Sequence, residues 1–323
     1  MQCFQLTLQP LSAFAGPIKG DTLFGQLCWA IRNRYGEAYL TDLLQHYTSR
    51  PFAIVSDGFP AGYLPLPKLP GYFYDSVNGL DRKAVKKRNW LAVQDIQQPL
   101  PQWLNLAKTD ADIANSLGDK TQTRLIEQHQ QMHNSINRQT DTTGENGFAP
   151  YSTWQYWYHT RMTLDCYVLV DEQQTDVEKI MNCLQNIGLF GYGRDASIGL
   201  GKFAINTHNA INLPQMQGAN ACLTLAPSAP QGLGYQSQHS YYQTFTRFGR
   251  HGDRAVQQQG KPFKNPILLA QTGAVLATDA APSSTVGQAI GGDGSLSKTL
   301  PATVHQGYAP AIAIQIPKER KSI

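Results

Sequence analysis

The sequence predicts an α+β fold of two ferredoxin-like or RRM-like domains, with a thumb-like inserted region and a glycine-rich loop. The chain has 323 residues, which is about two domains at roughly 150 residues each. Strand and helix patterns alternate up to about residue 210, whereas short strand patterns follow from residue 218 onward. Glycine and proline number 28 and 19, which indicates many turns and argues against a long helical bundle.

The first strand–helix–strand unit lies in the N-terminal part of the chain. Polar and apolar residues partly alternate over 2–9, as they do in a strand. Asp21 is a good N-cap, and apolar residues then recur at helical spacing until Gly36. A second helix over 37–47 and a short apolar strand over 51–56 are expected next.

The second unit is separated from the first by polar residues from about 75 to 150, rich in Gln, Asn, Thr and Lys. We interpret this region as an insertion, with helical patches at 82–93 and 119–133 and a turn-rich end. Runs rich in aromatic and β-branched residues predict strands within 153–170. Thr175 then caps an amphipathic helix.

A glycine-rich loop over 188–203 leads from this helix into the last strand of the unit. The repeated strand–helix–strand order is typical of a ferredoxin-like or RRM-like domain. Further strands are expected at 221–225, 241–248, 267–270, 274–276 and 311–316, with a loop at 278–297. We therefore predict an N-terminal RRM-like domain over 1–212, which carries the insertion at about 75–150, and a C-terminal β-rich RRM-like domain over 213–323.

Composition excludes several protein classes. The chain is 41% hydrophobic, which is enough for a core, and no run approaches the roughly 18 apolar residues of a membrane helix. The strand-like N-terminus has no basic flank, which argues against a signal peptide. The five cysteines are scattered without a CxxC pair, which argues against a disulfide framework or a structural zinc site. We expect a soluble cytoplasmic protein that has no metal, cofactor or membrane partner.

Positive charge is unevenly distributed. The formal net charge is only +4, but the segment from Gly201 to the C-terminus contains ten Lys or Arg residues and only four acidic residues. Five further cations lie within 82–88, next to Trp90. Cations interleaved with aromatic rings suit phosphates and unpaired bases, although a solvated helix face explains such a cluster about equally well.

The glycine-rich loop contains a motif that imitates a dinucleotide site. Gly191 to Ala196 reads Gly-Tyr-Gly-Arg-Asp-Ala and fits GxGxxA, but a helix precedes it and a strand follows it. No acid occurs between Asp195 and Asp253 to bind a ribose, so the Rossmann interpretation fails. Lys202 is followed by Phe203 rather than Ser or Thr, so the loop is not a P-loop either.

The loop still has the composition of a phosphate cradle. Five glycines fall within fourteen residues, and Arg194, Ser197 and Lys202 lie among or beside them. Glycines let backbone amides approach a phosphate closely, and nearby cations complete such a site. A bulged turn that feeds the next strand explains the same residues without a ligand.

Catalytic signatures are absent from the sequence. His129 and His133 have the spacing of two ligands on a helix, but the glutamate of HExxH is missing. No GxSxG motif occurs, and His46 is an isolated candidate for acid–base chemistry. Aromatic residues at 154 and 156–158 suit either base stacking or a core. No catalytic residue is assigned.

Several segments in a fixed order along the chain carry a resemblance to a known family. These segments are 20–31 (GDTLFGQLCWAI), 51–60 (PFAIVSDGFP), 64–68 (LPLPK), 134–138 (NSINR), 142–145 (TTGE), 188–203 (GLFGYGRDASIGLGKF), 261–266 (KPFKNP), 273–275 (GAV) and 305–309 (HQGYA). Together they cover most of the chain, and they resemble the RAMP-superfamily subunits of type III CRISPR effector complexes, of the Csm-four type in the Cas-five class.

The resemblance implies a non-catalytic RNA-binding subunit without a cofactor. Such a subunit caps a filament of Cas-seven-type backbone subunits, holds the 5′ repeat-derived tag of the crRNA and docks the Cas-ten-type large subunit. It contacts the target nucleic acid only indirectly. The expected RNA-binding residues are Gly191, Gly193, Arg194, Ser197, Gly199, Gly201, Lys202, Lys86, Lys87, Arg88, Asn137, Arg138, Arg247 and Arg250.

Two alternatives remain open on sequence alone. A crRNA-processing endoribonuclease of the same superfamily would use a histidine such as His46 or His133 as a general acid or base. Its glycine loop, however, lies near the C-terminus, whereas this one lies mid-chain. A purely structural subunit would make all of its contacts with protein.

Overall fold

The fold is described from a computed structural model for residues 1–76, 82–119, 121–144, 147–252 and 263–317. It mixes helices and sheets, which confirms the predicted α+β class. The α-helices within these ranges are α1 (Gly20–Tyr35), α2 (Glu37–Gln45), α3 (Arg82–Lys86), α4 (Trp103–Leu106), α5 (Asp110–Ser116) and α6 (Val177–Phe190). Across the same ranges, no helix combines the length and apolar character needed to cross a membrane.

The strands fall into two groups along the chain. Those before residue 212 are β1 (Gln2–Pro10), β2 (Ala53–Pro60), β3 (Tyr63–Pro65), β4 (Arg88–Ala92), β5 (Lys108–Thr109), β6 (Ile126–His133), β7 (Tyr151–Tyr158), β8 (Leu164–Val170) and β9 (Phe203–Ile211). Those after it are β10 (Ala221–Thr224), β11 (Thr244–Arg247), β12 (Ile267–Ala270), β13 (Val275–Ala277), β14 (Thr285–Gly287), β15 (Ile290–Gly291), β16 (Val304–His305) and β17 (Tyr308–Ile314).

The main sheet is antiparallel, with the strand order β2-β8-β1-β9. Leu6 of β1, for example, lies between Cys166 of β8 and His208 of β9. Alternate residues of β8 belong to different cores, because Val168 packs with the helices whereas Tyr167 packs with the insertion and the C-terminal strands. Both faces of the sheet are therefore covered, which explains why every residue of β8 is buried.

Two helices cover one face of this sheet. α1 packs against α2 and α6, and its apolar residues Leu23, Leu27 and Ile31 are buried. The predicted N-caps were wrong by two residues at α1 and by one at α6. Lys19 precedes α1, which places Asp21 inside the first turn, and Asp176 caps α6 by accepting from the Glu178 amide at 2.9 Å.

The insertion differs from its prediction. Residues 126–133 form strand β6 rather than a helix, and they pair with β7 from Ile126–Tyr158 to His133–Tyr151. The Gln-rich run has no apolar helical stripe to bury, whereas β7 satisfies its backbone groups along its whole length. The predicted patch at 82–93 is helical only in α3 and then becomes β4.

The C-terminal half packs against the main sheet through a shared apolar core and through a buried glutamine. Its sheet has the order β13-β10-β17-β14. The buried Gln306 side chain donates to the Val55 carbonyl at 2.7 Å and accepts from the Val55 amide at 2.8 Å. β14 and β15 lie inside the predicted loop at 278–297, which corrects that prediction. The described residues of this half contain no α-helix, so the helices of an RRM-like domain are not seen there.

Candidate RNA-binding surface

The glycine-rich loop connects the end of α6 to the start of β9. Gly191, at φ +113°, ends the helix by donating to the Ile187 carbonyl at 2.7 Å. The Tyr192 amide then donates to the Gly201 carbonyl at 2.8 Å, which closes the loop at its base. A helix precedes the loop and a strand follows it, as the sequence predicted. This order is the reverse of the one that a Rossmann dinucleotide site requires.

The loop glycines have different neighbours. A Cβ on Gly201 would overlap the carbonyl of Tyr192, and a Cβ on Gly191 would overlap the carbonyl of Leu200. By contrast, a Cβ on Gly193 or Gly199 would meet no atom within 4 Å. The first pair is required by close packing, whereas the second pair leaves an open surface that another molecule could approach.

Several loop amides donate to acceptors within the protein. The Gly193 amide donates to Oε1 of Gln26 at 3.1 Å, the Gly201 amide to the Ala13 carbonyl at 2.7 Å, and the Lys202 amide to Oγ of Ser12 at 2.9 Å. These bonds fix the loop to α1 and to the segment that follows β1. The three amides are therefore not available to a phosphate in this conformation.

Three exposed polar side chains project from the loop. Arg194, Ser197 and Lys202 are all exposed, so the structure brings these predicted residues together on one segment. Nε of Arg194 lies 3.0 Å from a carboxylate oxygen of Asp195, which offsets part of its charge. Lys202 makes no ion pair within 4.0 Å with any described residue, so its charge is unpaired.

Tyr192 joins the loop to the segment that precedes α1. Its hydroxyl accepts from the Lys19 amide at 2.9 Å and donates to the Pro17 carbonyl at 3.3 Å. The ring is buried near Phe14, with ring centroids 6.3 Å apart, and burial raises the pKa of Tyr192 well above its usual range. The hydroxyl therefore stays neutral and serves as a structural link.

Arg247, another predicted RNA-binding residue, is held in an ion pair. Its guanidinium donates to both carboxylate oxygens of the buried Asp21, at 2.7 and 2.8 Å. Nε2 of His305 lies 3.3 Å from the same carboxylate. Burial raises the pKa of Asp21, but the adjacent His305 imidazole and the charge and hydrogen bonds of Arg247 outweigh it and lower the pKa to about 2.

The basic cluster at 82–88 separates into two kinds of residue. Lys86 and Lys87 are exposed and form no ion pair with described residues. Arg88 is half-buried, and its Nη1 donates to the carbonyls of Leu104, Asn105 and Ala107 at 3.1, 2.7 and 2.9 Å. Arg88 thereby satisfies carbonyls at the end of α4, a structural role that sequence analysis missed.

The remaining predicted residues lie apart from the loop. Asn137 and exposed Arg138 lie in the turn between β6 and β7, where the Asn137 amide donates to the Thr142 carbonyl at 3.0 Å. Exposed Arg250 lies 5.8 Å above the ring of Phe263. Lys261, Pro262 and Glu145 belong to the segments that carry the family resemblance, and they lie outside the described residues.

The two histidines with metal-ligand spacing lie on a strand. His129 is 3.4 Å from Glu127, whereas Nε2 of His133 lies 3.0 Å from the Thr153 hydroxyl and its ring stacks on Tyr151. Over the described ranges, no three His, Cys, Asp or Glu residues gather as a metal site would require.

Two clefts that sequence analysis did not predict lie between the N-terminal part, with its insertion, and the C-terminal half. The Arg247 cleft, of about 540 Å³, is lined by Lys19, Trp90, Phe245 and Arg247 among others. The Lys86 cleft, of about 720 Å³, is lined among others by Lys68, Lys86, Arg88 and Tyr242. Lys68 and Asn89 line both, so the clefts adjoin.

Comparison with solved structures shows what this architecture resembles. A crystal structure of a Csm1–Csm4 cassette in complex with pppApA matches at a TM-score of 0.58 and 12% identity, covering 99% of this chain and 100% of that chain. A Csm3–Csm4 subcomplex of the type III-A interference complex matches equally well, at 0.58 and 13% identity, covering 98% of this chain and 100% of that one. The matched chain is Csm4, the component that these assemblies share.

This chain has the fold of Csm4. A third structure, of a Csm1–Csm4 cassette in complex with cA4, matches at a TM-score of 0.56 and 13% identity, covering 98% of this chain and 100% of that chain. The Csm4 fold confirms the resemblance seen in the sequence, because the match runs over nearly the whole chain. No family model matches the sequence, and no curated protein matches it either.

Proposed function

We propose that this protein is a non-catalytic guide-RNA-binding subunit that caps a type III CRISPR effector complex. The observation that carries the proposal is the Csm4 fold, which extends over 98–99% of this chain. In this role the protein holds the 5′ repeat-derived tag of the crRNA. The main sheet, with its β2-β8-β1-β9 order, serves as the ferredoxin-like platform that presents the glycine-rich loop.

The proposed protein partners follow from the same comparisons. The matched structures pair Csm4 with Csm1 in one assembly and with Csm3 in another. By analogy, this chain docks the Cas-ten-type large subunit and the first Cas-seven-type backbone subunit. A capping subunit needs a distinct surface for each neighbour, and the target nucleic acid is then reached only through the assembly.

The proposed contacts with RNA are made mainly by side chains. Exposed Arg194, Ser197 and Lys202 lie on a loop whose Gly193 and Gly199 leave its outer side open. Lys86 and Lys87 extend the basic surface onto the insertion. Asn137 and Arg138, at the end of the β6–β7 hairpin, and Arg250 are further candidates for RNA or for the backbone subunit. Cations and backbone turns of this kind suit single-stranded RNA.

The proposal includes no catalytic step. His46, one of the two histidines that could serve a processing enzyme, is an exposed residue at the end of α2. Its carbonyl accepts from the amides of Ser49 and Arg50. His133 lies on β6 and is engaged with Thr153 and Tyr151. The two imidazoles thus belong to different elements, and no observation favours a nuclease over a binding subunit.

The test is co-expression with the neighbouring genes, followed by purification through this chain and sequencing of bound RNA. We expect short RNAs that share one 5′ end, together with a large subunit and a backbone subunit. A chain that purifies without RNA and without partners would overturn the proposal. Cleavage of repeat RNA that is lost in His46→Ala would replace it with the processing enzyme.

A further inference from the structure

The Lys86 cleft has a consistently positive lining. Lys68, Lys86 and Arg88 all line it, and none forms an ion pair within 4.0 Å with a described residue. Nη1 of Arg88 contacts only neutral carbonyls, and no carboxylate occurs among the described residues that line the cleft. Charge of one sign focused in a concave surface attracts an anionic ligand.

The opposite wall supplies groups that suit a nucleobase. Tyr242 is 47% exposed, so much of this large aromatic residue is accessible to solvent. Gln243 is exposed on the same wall. Asn89 is exposed on the wall of Arg88, where its amide donates to the Lys87 carbonyl at 3.2 Å. An aromatic ring can stack on an unpaired base, and amides can donate to and accept from its edge.

The Lys86 cleft adjoins a second cleft that lies near the glycine-rich loop. Lys68 and Asn89 are shared with the Arg247 cleft, which Lys19 also lines. The Lys19 amide donates to the hydroxyl of the buried Tyr192, which belongs to the glycine-rich loop. The two adjoining clefts therefore extend from Lys19, next to the base of the loop, to Lys68 and Lys86.

We propose that the Lys86 cleft binds unpaired nucleotides of the same RNA strand, with phosphates on Lys68 and Lys86 and a base on Tyr242. This inference rests on the proposed function, because it assigns a second contact to the RNA held at the glycine-rich loop. The volume of about 720 Å³ is large enough for a nucleotide, since small-ligand pockets span roughly 300–1,000 Å³.

Charge reversal in the co-expressed complex is the first test. Lys68→Glu with Lys86→Glu is compared with Lys298→Glu, an exposed lysine that lines neither cleft. RNA in the complex is labelled with 4-thiouridine, cross-linked by light and mapped to peptides. We expect wild-type cross-links in 66–71 or 237–243, and at least a tenfold loss of them in the double variant alone.

Stacking is tested separately with the isolated full chain and a fluorescent eight-nucleotide oligouridine. Tyr242→Ala should weaken binding about tenfold, since stacking of one base contributes on this scale. Tyr242→Phe keeps the ring and should bind like the wild type. Circular dichroism on each variant checks that the fold is retained.

The outcomes separate the two proposals. Cross-links confined to 188–203, with cleft variants that behave like Lys298→Glu, would overturn the cleft assignment and leave the guide-binding role intact. Wild-type complex without RNA would overturn both. Loss of binding in Tyr242→Phe as well as in Tyr242→Ala would contradict stacking on the ring.

Discussion

Arg247 of β11 and Asp21 of α1 form a two-point ion pair between the halves of the chain, with N–O distances of 2.7 and 2.8 Å. The Asp21 carboxylate is fully buried, whereas a quarter of the Arg247 side chain is exposed. This geometry gives Arg247 a structural task whether or not its exposed part reaches RNA. The pair also links the first turn of α1 to the Arg247 cleft.

Loss of the Arg247 side chain should destabilise the fold. Arg247→Ala leaves a buried carboxylate without its main partner, so we expect the free energy of unfolding to fall by about 3 kcal/mol. Arg250→Ala is the matched control, because this exposed arginine has no ion pair with a described residue, and it should change stability by less than about 0.5 kcal/mol. Urea unfolding measures both. Equal stability of the two variants would contradict the structural role.

Acid should remove the contribution of Asp21. Its pKa is lowered to about 2 in the folded protein against about 3.9 in an unfolded chain, so the stabilisation is complete above about pH 4. It is lost as the pH falls from about 4 toward 2, and it amounts to about 2–3 kcal/mol. Wild type should exceed Asp21→Asn in stability at pH 6, and the difference should shrink across this window. Unfolding curves from pH 6 to pH 2 measure the difference, and a constant value would contradict the assignment.

The two kinds of loop glycine should respond differently to alanine. In Gly201→Ala the new Cβ would sit on a backbone with a positive φ of +75° and would overlap the Tyr192 carbonyl. We therefore expect the free energy of unfolding to fall by more than about 2 kcal/mol. Gly193 also has a positive φ, of +82°, but a Cβ there would meet no atom within 4 Å. Gly193→Ala should therefore lower the free energy of unfolding by only about 1 kcal/mol. Thermal unfolding checks the order. Reversal of the order would show that the loop is not packed as described.

Arg88 and Lys87 are neighbours in the basic cluster at 82–88, but only Arg88 should contribute to stability. Arg88→Ala removes the donor to three carbonyls at the end of α4, which should lower the free energy of unfolding by about 2 kcal/mol. Lys87→Ala alters an exposed side chain and should have almost no effect on stability. Chemical unfolding of the two variants tests the division, and a destabilised Lys87→Ala would contradict it.

Local patterns were sufficient for most of the secondary structure. Strand β12 lies where it was expected, and helix α6 follows its apolar spacing. The helix predicted over 119–133 was wrong at β6 for a physical reason. This polar segment forms a strand because it pairs with β7, and the periodicity of a single segment carries no information about pairing with another. The N-cap prediction for Asp21 was wrong, because the carboxylate binds Arg247, a partner far along the chain that no local pattern indicates.

The candidate site was only partly accessible to sequence reasoning. The glycine-rich loop is contiguous, so its exposed cations could be recognised from composition. Lys68 and Tyr242 line one cleft although they lie far apart in the sequence, and only the packing of the C-terminal half on the N-terminal part brings them together. Arg88 shows the converse, since a charged residue in a basic cluster can be committed to backbone carbonyls.

Removal of the two loop cations should weaken guide loading without unfolding the protein. Arg194 and Lys202 are exposed, so Arg194→Ala with Lys202→Ala should change stability by less than about 0.5 kcal/mol. Each lost phosphate contact should lower the slope of log affinity against log salt by about 0.7, so the double variant should lose about 1.4. Titration of the full chain with crRNA tag oligonucleotide at several salt concentrations measures this slope, and Lys298→Ala serves as the control. An unchanged slope would favour the purely structural subunit, because such a subunit makes no contact with RNA phosphates at this loop.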